Sequence, residues 1–173
     1  NNKISFIEDT FEFLNLEESI KATDPVVVPA PLVRNIVVRN LSFTYPGNNH
    51  KTINDVSFEI KKGDVIALVG PNGAGKTTLA RLLCRLYDPD SGSVYYDGTN
   101  IMNMDPEEYR KFFSVVFQDF MLYNLKAGEN IRLGNIDENE SDGKIRSAAF
   151  NAGVDEILFS LPLGYDTEIG NLF

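Results

Sequence analysis

Residues 70–77 read Gly-Pro-Asn-Gly-Ala-Gly-Lys-Thr, a full match to the pattern G-x-x-x-x-G-K-[ST]. The glycines at 70, 73 and 75 let the backbone curl tightly and turn successive N–H groups toward one point, where phosphate oxygens can accept them. A helix starting at Lys76 brings the positive end of its dipole to the same place. Lys76 would then reach the β- and γ-phosphates of a nucleotide, and Thr77 would give its hydroxyl to Mg2+. Thr78, with neighbouring amides, would serve the α-phosphate side. The candidate binding loop is therefore Gly70, Pro71, Asn72, Gly73, Ala74, Gly75, Lys76, Thr77 and Thr78.

Such a loop needs a strand before it and a helix after it. Val65-Ile66-Ala67-Leu68-Val69 is a continuous apolar run ended by Gly70, which predicts a central strand buried on both faces. The spacing of Leu79, Leu82, Leu83 and Leu86 predicts a helix over 76–87, stopped by Asp88-Pro89-Asp90-Ser91-Gly92. Upstream, residues 34–45 and 52–60 partly alternate β-branched or aromatic with polar residues around a Pro46-Gly47-Asn48-Asn49 turn, as in two paired antiparallel strands. Downstream the pattern predicts a strand at 93–96, a short helix at 106–111 and an apolar strand at 113–117 that ends on Gln118. Beyond Leu125 it is mainly helical, including 143–151 and 155–160, with Asp155 as the cap of the latter.

Ile4, Ile7, Phe11, Leu14 and Ile20 suggest an amphipathic helix within residues 3–20. Pro25, Pro29 and Pro31 then favour an extended linker, which places a boundary between residues 1–31 and 32–173. The net charge of −9, without a Lys/Arg stripe to offset it, argues against a nucleic-acid partner. The acidic stretch Asp137, Glu138, Glu140 and Asp142 reads as a solvated loop. The single cysteine, Cys84, allows no intrachain disulfide or cysteine-rich zinc site and suits a small core position. No apolar stretch approaches the eighteen residues of a membrane span.

Gly70 to Thr78 resembles the Walker A segment of ABC ATPases, and other pieces stand in the order of that family. Phe43-Thr44-Tyr45-Pro46 resembles the A-loop, which implies that Tyr45 stacks on adenine. Val115-Val116-Phe117-Gln118-Asp119 resembles the Q-loop, which implies that Gln118 ligates Mg2+ and approaches the attacking water. Phe120, Met121, Leu122 and Tyr123 follow where exporters of the family receive the coupling helix of the membrane domain. Asp166-Thr167-Glu168-Ile169-Gly170 resembles the exporters' T-E-V-G stretch, which would turn Glu168 toward that domain.

The resemblance implies an α/β fold, a P-loop NTPase core of the ABC type with an antiparallel β subdomain and a partial helical subdomain. Its ligands would be ATP and Mg2+, with Lys76 and Gln118 as catalytic residues. Its partners would be the transmembrane domain of the same transporter and a second ATP-binding domain docked head to tail, at the cytoplasmic face of the membrane. The rivals are a soluble ABC ATPase of DNA repair or translation and a non-catalytic nucleotide sensor.

In family order the signature L-S-G-G-Q, the Walker B strand, the D-loop and the switch histidine would come after Phe173, so the chain reads as truncated. Val154-Asp155-Glu156 lacks the apolar strand of a Walker B end, and His50, the only histidine, lies upstream of the loop. Residues 1–173 by themselves are thus expected to bind nucleotide weakly without turning it over.

Overall fold

A computed structural model describes residues 14–15, 20–22, 25–28, 31–116, 121–135 and 142–170. The chain divides into two compact units at Ser114/Val115. The amphipathic segment expected within residues 3–20 lies largely outside the described residues, as do Asp137, Glu138 and Glu140 of the acidic stretch.

The first unit is built on a four-stranded antiparallel sheet in the order β2-β1-β3-β4. Strand β1 spans Asn35–Phe43, β2 Ile53–Lys61, β3 Ser91–Tyr96 and β4 Thr99–Asn100. Pro46 and Gly47 join β1 to β2 through a turn in which the Asn48 amide donates to the Tyr45 carbonyl at 3.0 Å. Proline at the second place and a glycine at φ 82° at the third are what a type II turn demands. Ile36 and Val38 of β1 point into the core, and then the alternation breaks, with Leu41, Ser42 and Phe43 all buried. The break is a bulge built by Asn40 and Asp55, both left-handed, with φ 47° and 52°. The Asn40 amide group donates to the Asp55 carboxylate at 2.9 Å, and the Asn40 backbone N–H donates to the Ser57 hydroxyl at 2.7 Å.

Helix α1, Lys76–Leu83, lays Leu79 and Leu82 on the core formed by Val38, Leu41, Phe43, Ile53, Val94 and Tyr96. It ends four residues before the expected Tyr87, because Cys84 leaves the helix and Arg85 turns left-handed at φ 51°. Arg85 is fully buried. Its guanidinium donates to the carbonyls of Ile101, Met104 and Lys21, the last at 3.0 Å, and to the Asp88 carboxylate at 3.2 Å. Its own carbonyl accepts from Arg110 at 2.6 Å. Burial pushes the Cys84 thiol up, with Arg110 opposing, so Cys84 is an inert core residue as expected.

A 3-10 turn at Ile101–Asn103 leads to α2, Pro106–Arg110. Proline at its first position and the Asp105 carboxylate accepting from the Glu107 and Glu108 amides at 2.9 and 3.0 Å set its start. Tyr109, fully buried, donates its hydroxyl to the Leu83 carbonyl at 2.8 Å, and burial raises its pKa far beyond the usual phenol range. In the proline-rich linker, Val26 forms a parallel bridge to Met104.

Two expected strands do not form among the described residues. Residues 64–70 and 113–116 have no strand structure, and Val65 and Val69 are 100% and 93% exposed. A strand buried on both faces gets its ladder and its cover from neighbours, and no described segment pairs with either run.

In the second unit, α3 is Ala127–Arg132, α4 Asp142–Asn151 and α5 Asp155–Ser160, followed by a 3-10 turn at Gly164–Asp166. Asp155 does not cap α5. It is the helix's first residue, and its carboxylate accepts from the Tyr165 hydroxyl at 2.6 Å and lies 3.6 Å from Arg146. Asn130 ties down the segment before α3: its side chain accepts from the Tyr123 amide at 3.0 Å and donates to the carbonyls of Tyr123, Leu125 and Lys126 at 3.1 to 3.2 Å.

The Asp97-Gly98 turn between β3 and β4 has φ 50° and 89°, and the Asp97 carboxylate accepts from the backbone amides of Val33, Arg34 and Asn35 at 2.7, 2.7 and 3.1 Å. Burial alone would raise its pKa, but those amides and the Arg34 charge outweigh it and hold the carboxyl below its usual range. A carboxyl depressed in the folded state adds stability above its unfolded pKa, and that stability disappears as pH falls through the folded value. Asp97→Asn, which tolerates the same φ, should cost about 1 kcal/mol at pH 7, the low end for a partly exposed charged acceptor. In urea denaturation the gap from the parent should close as pH falls below about 4; a gap that stays constant would refute the assignment. Arg85→Met should lower stability by about 3 kcal/mol, because buried carbonyls lose their donor, and an unchanged urea midpoint would count against the buried guanidinium as an anchor.

Candidate functional site

Gly75 begins the site. At φ 85° it is the left-handed residue that opens α1, and a Cβ there would lie 2.7 Å from Ile53 Cδ1 and 2.8 Å from the Thr52 carbonyl oxygen. Only glycine fits so close to the start of β2, and that approach seats the loop on the sheet. Gly73 is also left-handed, at φ 82°. The Ala74 amide closes the turn onto the Pro71 carbonyl at 3.2 Å. No side chain caps α1 and its first turn holds no acidic residue, so its leading amides remain donors for an anion.

Lys76 Nζ donates to the Gly70 and Pro71 carbonyls at 2.8 Å each, which draws the ammonium back over the loop. With three donors and two so used, it keeps one for a phosphate oxygen. Thr77 is exposed on the first turn of α1, whereas Thr78 is buried. The two threonines are therefore not equivalent: Thr77 is accessible to a metal ion and Thr78 is built into the wall of the site.

Tyr45, at the end of the β1–β2 strand pair's first arm, comes to this loop. Its hydroxyl is 3.2 Å from the Thr78 hydroxyl and accepts from Arg81 Nη1 at 3.2 Å. Its ring meets Phe43 and Tyr87 edge to face, with centroids 4.9 and 5.2 Å away. Burial would raise the pKa of this phenol, but the bonds to Thr78 and Arg81 and the Arg81 charge lower it overall. The fold thus joins Tyr45 and the glycine loop, which are separated in sequence by 33 residues from Tyr45 to Thr78. Arg81 and Tyr87 were not picked out by sequence reasoning. Arg81 had a signal, since it stands three residues after Thr78 and so on the same helix face.

Gln118 and Phe120 lie outside the described residues. In the second unit, Met121, Leu122 and Tyr123 are exposed at 75%, 53% and 52%, so they are not core residues of that unit. The segment Leu125–Ala127 runs beside Thr167–Ile169: the Ala127 amide donates to the Thr167 carbonyl at 2.9 Å and the Ile169 amide to the Leu125 carbonyl at 3.1 Å. Glu168 bridges to Lys126 through the backbone and its side chain is exposed. Gly170 makes the approach possible, because a Cβ there would fall on the Asn124 and Tyr123 backbone. Among the described residues no group of His, Cys, Asp and Glu could hold a metal by itself. Mg2+ suits this site in another way, since it is commonly bound through one or two protein oxygens together with substrate phosphates, and the exposed Thr77 hydroxyl is such an oxygen.

Comparison with known proteins agrees with this geometry. Residues 53–171 match the model of the ABC transporter family. The nisin transport ATP-binding protein of Lactococcus lactis subsp. lactis is 35% identical over 173 residues, covering 99% of this chain and 29% of that protein. The beta-(1→2)glucan export ATP-binding/permease protein of Agrobacterium fabrum is 38% identical over 162 residues, 92% of this chain and 27% of that protein. A solved structure of a bacterial Atm1-family ABC exporter with ATP bound superposes with a TM-score of 0.84 at 32% identity, over 95% of this chain and 28% of the other. The chain thus spans less than a third of the length of these relatives. Their names are those of transport proteins, which favours the transporter over the repair, translation and sensor alternatives. The family match over residues 53–171 and the identity to these relatives agree: this chain belongs to the ABC transporter family.

Proposed function

We propose that the chain forms the phosphate- and base-binding half of an ATP site that drives export across a membrane. The observation that carries the reading is the meeting of Tyr45 with the Gly70–Thr78 loop through the Thr78 hydroxyl. The uncapped amides of α1 and the Lys76 ammonium take the phosphates, and Tyr45 takes the adenine. Bound Mg2+ would neutralise phosphate charge, with Thr77 and Gln118 as its protein ligands. Gln118 also approaches the attacking water. A second ATP-binding domain, docked head to tail, supplies the other face of the site, and the transmembrane domain of the same transporter receives the motion at the cytoplasmic face of the membrane.

The exposed row Met121, Leu122 and Tyr123, with Glu168, supports that contact. Backbone pairing of Leu125–Ala127 with Thr167–Ile169 keeps the row and the carboxylate on one small scaffold. The relatives named above are called transporters of nisin and of a beta-glucan, two unlike cargoes, which fits selection of the cargo by the membrane domain rather than by this part.

Lys76→Ala in the intact protein should weaken MgATP binding by about 10- to 100-fold, the worth of one lost charge-assisted contact, and should stop transport. Unchanged affinity by calorimetry would sink the assignment of the phosphate site. Gly75→Ala tests the seating of the loop: strain at φ 85° and contact with Thr52 and Ile53 should cost about 1–3 kcal/mol in urea denaturation, together with a loss of MgATP affinity. A stable variant that binds normally would show that the loop does not depend on this approach.

A further inference from the structure

Two polar groups converge on the hydroxyl of Tyr45: Arg81 Nη1 and the Thr78 hydroxyl, each at 3.2 Å. A guanidinium can only donate, so it occupies a lone pair of the phenol oxygen. Arg81, Tyr45 and Thr78 are therefore joined in one hydrogen-bonded chain. The ring has its own restraints. Phe43 and Tyr87 hold it edge to face at interplanar angles of 81° and 87°. Those contacts limit how the ring tilts, while Arg81 fixes where its hydroxyl tip stands.

We infer that Arg81 is a positioning residue of the nucleotide site, which holds the Tyr45 ring in the plane that receives the base and joins base recognition to the phosphate loop through Thr78. The inference rests on the reading of Tyr45 as the base-binding residue. Arg81 acts through the Tyr45 hydroxyl, to which it donates. It is suited to that task by its place on α1, one turn after Thr78, where the helix that carries the phosphate loop also carries the guanidinium. Ordering a ring before the nucleotide arrives removes part of the entropic cost of binding.

The test is a double-mutant cycle in the intact protein, with dissociation constants for MgATP measured by calorimetry. The variants are Arg81→Gln, which preserves helix propensity, Tyr45→Phe, which preserves the ring, and the pair together. Arg81→Gln should weaken MgATP binding by roughly three- to tenfold when Tyr45 is present and by less than about twofold when Phe stands there. An equal loss in both backgrounds, or no loss in either, overturns the inference. Tyr45→Ala is measured in parallel with MgATP and with magnesium tripolyphosphate, which lacks a base. If it impairs MgATP alone while the cycle shows no coupling, only the role of Arg81 fails. If it leaves MgATP binding unchanged, the base assignment fails and the inference with it.

Discussion

The buried guanidinium of Arg85 organises the first unit. A charge taken out of water is costly, and it stays buried only where its donors are matched. Here the Asp88 carboxylate and the carbonyls of Lys21, Ile101 and Met104 match them, and these belong to the linker, the chain just past α1 and the turn before α2. The left-handed backbone of Arg85 ends α1 and sends the chain toward β3, while its carbonyl holds Arg110 at the end of α2. One residue thus sets where the helix stops and what lies around its end.

The other end of α1 is fixed by a steric rather than an electrostatic rule. Gly75 has no Cβ, so the loop can press against Thr52 and the Ile53 side chain at the start of β2. Helix, loop and sheet become one body between these two anchors. Tyr45 leaves β1 from the same sheet, so the distance from its ring to the phosphate loop is set by sheet packing and not by a flexible hinge. The Asn40–Asp55 bulge contributes by re-aiming β1, which buries Leu41, Ser42 and Phe43 together and brings Phe43 against the ring of Tyr45.

The parts of this site legible in the sequence were those coded over a few consecutive residues. The glycine loop, the Pro46-Gly47 turn and the start of α2 follow from local conformational demands, and each was found where those demands placed it. Tyr45 could be assigned only through its resemblance to a known segment; its contact with Thr78 depends on how a sheet packs on a helix, which no local pattern encodes. Arg85 was hidden among leucines, since nothing in Leu82-Leu83-Cys84-Arg85-Leu86 reports that four acceptors from elsewhere will meet it. Asp155 was misplaced because an acidic residue at a helix start suits a cap equally well, and the phenol of Tyr165 claimed its carboxylate. The strand expected at 65–69 failed for the opposite reason. Its composition was right, but a strand is a relation between segments, and the described residues supply no partner.

The tie between Lys21 and Arg85 has a mechanical consequence. The Lys21 carbonyl accepts from the Arg85 guanidinium, and Val26 bridges to Met104, whose carbonyl accepts from the same group. Tension on the chain before Pro25 is therefore borne at the far end of the helix that opens with the phosphate loop.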